Sequence, residues 1–214
     1  MERFFQWMIL FAAIAGQVID SGILRGKCRK DMYAYYTNLS NVLVLLYFLG
    51  LIVVPEDARM YRFLEKDGTV FAVMMSIMLT FTVFHFILAP AFCRKARKEG
   101  RESSFGVGNF LVHYLVPLLT YAYWCIFGAK AQLGFDAGIA WLCIPIAYLV
   151  YTFIRVQSGR NIEGTDSPYP YFFLDPEKVG KKQALMNIAG MALACALVGF
   201  LIIGIVKGIL LLGR

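Results

Sequence analysis

Six stretches of this chain, at 4–24, 36–54, 69–90, 108–128, 137–155 and 184–206, are almost wholly apolar. Each is close to the ~20 residues that an α-helix needs to cross the hydrocarbon core of a bilayer. No other feature limits the fold so strongly. Within lipid no water satisfies backbone N–H and C=O groups, so segments of this length must be helices. The expected fold is an all-α, six-helix transmembrane bundle occupying residues 1–214 as one domain. The composition agrees: 59% of the 214 residues are hydrophobic, 16% are charged and the mean hydropathy is +0.64, outside the range of soluble domains. The first stretch runs past Ala13-Ile14-Ala15 to Leu24 and reads as a spanning helix, not a cleaved leader. Only the connection at 156–183 is long enough for structure of its own.

Charge sets the expected orientation. Most of the 21 Lys and Arg residues fall after the first, third and fifth stretches: Arg25, Lys27, Arg29 and Lys30; Arg94, Lys95, Arg97, Lys98 and Arg101; Arg155, Arg160, Lys178, Lys181 and Lys182. Positive loops stay in the cytosol, which places both termini outside it. The net charge of +7 is then explained by topology and by attraction of the basic loops to anionic lipid headgroups. Nucleic acid is not an expected partner. The five cysteines form no close pair and no ligand spacing, so neither metal nor cofactor is expected.

Apart from Arg155 at the end of the fifth stretch, the Asp, Glu, Lys, Arg and His residues within the stretches are few: Asp20, His85 and His113. In lipid such groups are costly and point to function. All lie toward the basic end, as do Thr37, Ser40, Asn41, Asn109 and Asn187. Helical periodicity puts Thr37, Ser40 and Asn41 on one face and Asn109 and His113 on another, because residues three and four apart are neighbours. Thr82 with His85, and Gln17 with Asp20, form similar pairs. Simpler roles stand beside each: helix capping and interhelical bonding for Thr37-Asn38-Leu39-Ser40-Asn41, a structural histidine at 113, an interfacial one at 85, and an ion pair between Asp20 and Arg25.

Three segments, in order, carry a resemblance: YYTNLSNVLV from Tyr35, NFLVHYLVPLL from Asn109 and YPYFFLDP from Tyr169. Together they resemble the six-helix bacterial membrane family related to the androgen-induced gene one protein and the androgen-dependent tissue-factor-pathway-inhibitor regulating protein. The resemblance spans essentially the whole chain. It implies a multi-pass protein of the bacterial cytoplasmic membrane that hydrolyses lipid esters, such as fatty acid esters of hydroxy fatty acids. It also implies Thr37 as nucleophile and His113 as base. The chain departs from the eukaryotic members at Ser40, where they carry Asp, and in a shorter spacing from His to Pro.

A Thr hydroxyl needs a base to take its proton, and imidazole suits that task. A third group should orient the ring. Asp20 is the expected one, with Asn41 and Asn109 as neutral substitutes. Amides at the start of the second or fourth helix, aided by Asn38, Asn41 or Asn109, are the expected oxyanion donors. Ser40, His85 and Tyr169 complete the candidate substrate-lining set, and the 156–183 connection is a candidate lid. Two other classes fit the same residues. A proton-coupled transporter uses Asp20, His85 and His113, although no internal repeat supports it. A non-catalytic lipid-binding protein uses Thr37 only as a cap.

Overall fold

The structure is a computed structural model describing residues 1–100, 105–128 and 130–212; Arg101, counted above among the basic loop residues, lies outside them. Helices account for all regular structure among the described residues. They are α1 (Glu2–Asp20), α2 (Tyr36–Val53), the short α3 (Arg59–Leu64), α4 (Asp67–Lys98), α5 (Val107–Phe127), α6 (Ala137–Val156), the single-turn α7 (Pro176–Val179) and α8 (Lys181–Leu212). Five of these, α2, α4, α5, α6 and α8, are long and apolar enough to cross a membrane, marking a multi-pass membrane protein. α1 is not among them: it is bounded by Glu2, Arg3 and Asp20 and buries Gln6 and Gln17.

Several ends differ from expectation for local reasons. α1 stops at Asp20, before the expected 24, because Gly22 and Gly26 adopt φ of +73° and +67°, a region that side chains other than glycine rarely enter. α4 and α8 each run for 32 residues, since their flanking basic residues are good helix formers. Pro90 does not end α4. A π-turn at Phe84–Leu88 precedes it and absorbs the missing N–H. α5 repeats the device, with a π-turn at Leu111–Leu115 ahead of Pro117.

The core lies among α1, α2, α4 and α5, where Ile9, Val44, Phe48, Phe71, Ile77 and Val116 are fully buried. Small residues allow α1 to approach α5 closely. A Cβ on Gly16 would sit 2.9 Å from Val112 Cγ1, and one on Gly108 would sit 2.9 Å from Ile19 Cγ2 and 3.0 Å from the Asp20 nitrogen. α6 and α8 are more peripheral and expose Ile146, Val150, Leu193, Leu197 and Leu201, as suits helices facing lipid. α8 meets α6 closely at Gly138 and Gly199. Toward its other end it is tied to the preceding loop by Asn187 Nδ2, which donates to the Phe173 carbonyl at 2.9 Å.

That loop forms a strap. Ser167 Oγ donates to the buried Asp175 carboxylate at 2.6 Å, and Asp175 accepts the Glu177 N–H at 2.9 Å as the N-cap of α7. Asp31 holds the outer end, accepting from the Glu163 N–H at 2.9 Å and from Arg155 at 3.3 Å. The Glu163 amide first, and then Arg155, hold the Asp31 carboxyl below its ordinary value. A depressed acid contributes its stabilisation at neutral pH and loses it as pH falls through the lowered pKa. The strap should therefore stay protected at pH 7 and open to protease around Glu163 only when the pH falls below the ordinary carboxylate range. Asp31→Ala should show that cleavage already at pH 7. Equal protection of both proteins across the titration would remove Asp31 as the anchor.

Candidate active site

The first turn of α2 and the π-turn of α5 face each other. Thr37 Oγ1 lies 3.2 Å from His113 Nε2, and His113 Nδ1 lies 3.0 Å from the Asn109 carbonyl. A carbonyl only accepts, so Nδ1 carries the proton and Nε2 presents its lone pair to the Thr37 hydroxyl. Thr37 is buried at 7% exposure, and the Phe84 ring stacks on the imidazole with centroids 3.8 Å apart. Thr37 is not the cap of α2. The N-cap position is Tyr35, with no side-chain capping bond, and the Thr37 hydroxyl is turned to another helix.

The π-turn explains how the two turns are locked together. The Val116 N–H reaches the Leu111 carbonyl and Pro117 has no N–H, which leaves the Val112 carbonyl to another donor. Asn41 Nδ2 donates to it at 3.0 Å and to the Thr37 carbonyl at 2.8 Å. One buried amide thereby ties the backbone beside the base to the backbone of the hydroxyl residue.

Other expected helpers are engaged elsewhere. Asp20, expected to orient the imidazole, accepts from Arg29 Nη1 at 3.2 Å instead; the Asn109 main-chain carbonyl orients His113. Asn38 donates to the Met32 carbonyl at 3.0 Å and accepts from Gln17 at 3.3 Å, so its amide is committed to fixing α1 against α2. Both Asn41 N–H bonds are spent on carbonyls, which removes it from the oxyanion donors. Ser40 Oγ bonds Thr80 Oγ1 at 2.7 Å and the Thr37 carbonyl at 3.0 Å, coupling α2 to α4. His85 is exposed, stacks on Phe81 and bonds the Tyr114 hydroxyl at 3.2 Å, apart from Thr37. Tyr169 binds the Ser167 hydroxyl through its backbone N–H at 3.0 Å and supports the strap.

Two residues further on, Tyr171 reaches the site. It is buried, stacked on Phe173 and edge-on to Tyr35. It lines the same cavity as Thr37, and burial pushes its phenol up to about 12. It is thus a neutral donor at physiological pH. The Tyr36 and Thr37 amides belong to the first helical turn, which has no intrahelical acceptors for them.

Thr37 and Tyr171 open onto an apolar cavity of about 130 Å³ between α4, α6 and α8, walled by Leu79, Val83, Tyr148, Leu149, Ile188 and Met191. A second cavity, of about 290 Å³, borders Asn109 and is lined by Asp20, Arg25, Lys27 and Arg29. Neither Tyr171 nor this second cavity is among the features expected from the sequence. The available signals were the strap's aromatic run and the basic residues that flank Gly26. No family model, curated protein or solved structure matches the chain.

Proposed function

We propose that this chain is an integral-membrane esterase with Thr37 as nucleophile and His113 as base, acting on bilayer-derived lipid esters. Fatty acid esters of hydroxy fatty acids, the class implied by the resemblance in the three segments, fit this reading. In this reading α1 completes a six-helix bundle in the bacterial membrane that the resemblance implies, and the basic loops favour a cytoplasmic side for the Thr37 end. The observation that carries the reading is the hydrogen-bond chain from the Thr37 hydroxyl through His113 to the Asn109 carbonyl.

In this mechanism Nε2 takes the hydroxyl proton as Oγ1 attacks the ester carbonyl, and the oxyanion is held by the Tyr36 and Thr37 amides and the Tyr171 hydroxyl. The imidazolium returns its proton to the departing alkoxide, which leaves as the alcohol. Water then gives up a proton to His113 and attacks the acyl-threonine, releasing the carboxylic acid and restoring the hydroxyl. The apolar cavity takes the acyl chain while the strap covers the reacting carbonyl.

A fluorophosphonate probe tests the assignment directly. It should label the detergent-solubilised protein on the peptide containing Thr37, as mapped by mass spectrometry. Protein that stays unlabelled while hydrolysing no lipid ester would overturn the reading. Tyr171→Phe should slow labelling by roughly 10²-fold, the usual cost of one lost oxyanion donor, with the fold retained because the ring packing is unchanged. An unaltered rate would reduce Tyr171 to a packing residue.

A further inference from the structure

The second cavity is one that the esterase chemistry does not itself use. Three cationic side chains border it, Arg25, Lys27 and Arg29, together with one carboxylate, Asp20. Arg29 is engaged by that carboxylate at 3.2 Å. Arg25 and Lys27 have no ion-pair or side-chain hydrogen-bond partner among the described residues, leaving an uncompensated positive charge at the rim. The site also has a fixed frame. Gly22 and Gly26 hold the loop in left-handed turns, and the Gly22 carbonyl accepts the N–H groups of Arg25 and Lys27 at 2.9 and 3.1 Å. Asn109 also borders the cavity, and its side-chain Oδ1 is buried with no hydrogen-bond partner among the described residues.

The location gives the charge its meaning. Asn109 forms part of the cavity wall, and its carbonyl holds His113, which in turn meets Thr37. A polar cationic cavity and an apolar cavity are thus joined by one chain of hydrogen bonds. An amphiphile with an anionic group and a hydrocarbon chain matches that pairing, because guanidinium and ammonium groups bind carboxylate or phosphate through charge-assisted hydrogen bonds.

We propose that the cavity bordered by Arg25, Lys27 and Asn109 binds the anionic head, a carboxylate or phosphate, of a lipid amphiphile. Within the esterase reading, which this placement rests on, the head anchors the substrate while its ester lies at Thr37. Head binding itself does not depend on catalysis.

The test is equilibrium binding to the full chain in neutral detergent, with oleate, oleyl alcohol and inorganic phosphate as probes. Oleate should bind more tightly than oleyl alcohol. In the double variant Arg25→Gln/Lys27→Gln the oleate affinity should fall roughly ten-fold or more, the cost of losing charged partners, so that the preference over the alcohol disappears. Thr37→Asn should retain the oleate preference, because the head site does not use that hydroxyl; the same preference in parent protein that cleaves no ester would uphold the site while the esterase reading fails. Inorganic phosphate that binds as tightly as oleate would make the ligand a free anion and overturn the lipid proposal. So would an oleate preference that survives the double variant.

Discussion

Thr37→Asn protein should fold, bind lipid and lose probe labelling and ester cleavage by at least ~10³-fold. Asn keeps polar atoms that can meet the His113 ring, but has no hydroxyl to attack a carbonyl. The substitution therefore separates a reacting hydroxyl from a structural one. Thr37→Ser keeps the hydroxyl and should retain measurable activity, reduced by the greater rotational freedom of a side chain without the γ-methyl. His113→Ala should resemble Thr37→Asn, because an alcohol without its base is as inert as a base without its alcohol. Members of one catalytic unit fail together. The double variant should be scarcely slower than either single one. Losses that multiply would dissolve the pair into independent contributors, and parent-rate hydrolysis by Thr37→Asn would end the threonine mechanism.

The parts of this site that were readable in the amino-acid sequence are those governed by helical periodicity. Thr37 with Asn41, and Asn109 with His113, are four residues apart and do share faces, and their helices begin at the same end of the bundle. What periodicity does not give is the partner across the gap. Asp20 has the right depth and chemistry to hold an imidazole, yet Arg29 lies within reach through a loop whose path depends on two left-handed glycines. The Asn109 carbonyl is invisible to a reading of side chains, since every residue has one. Its availability to the His113 ring accompanies the π-turn before Pro117. The extents of α4 and α8 were underestimated for a related reason. Hydropathy marks where lipid begins, whereas the helical hydrogen-bond ladder continues into the charged flanks.

Tyr171 shows the same limit on a loop. The strap's turns decide which aromatic side chain points inward, and they depend on the Ser167–Asp175 bond and the α7 cap. Neither follows from the order of tyrosines in the segment, so Tyr169 and Tyr171 are equivalent until the loop is folded. The lipid-facing helices required much less. Their exposed apolar faces follow from composition alone, and their positions relative to α2 and α5 matter mainly through the cavity they leave.

The second large effect is expected at Asn41, which the sequence places on the Thr37 face and the fold turns into a clamp. Asn41→Asp is nearly isosteric but replaces the only two donors with an acceptor at a position of 0% exposure. Oxygen then faces the Thr37 and Val112 carbonyls, and an ionised carboxylate is buried with no described cation bonded at this position. Each buried polar group left unsatisfied costs about 1–3 kcal/mol, and a buried charge costs more. The thermal transition should drop by on the order of 10 °C, with labelling of Thr37 nearly lost as the two turns separate. Asn41→Leu removes the charge from the comparison and should be destabilised less, by the Val112 carbonyl in particular. Its link to the π-turn can be isolated with Pro117→Ala, which restores a backbone N–H where that carbonyl lacks one. The double variant Asn41→Leu/Pro117→Ala should therefore be more stable than the sum of its single changes, with a coupling of roughly 1 kcal/mol, while its labelling stays low because the clamp on Thr37 is still missing. Strictly additive stabilities would show that Asn41 does not serve the carbonyl orphaned by Pro117, and recovery of labelling would show that the clamp is not what keeps Thr37 against His113.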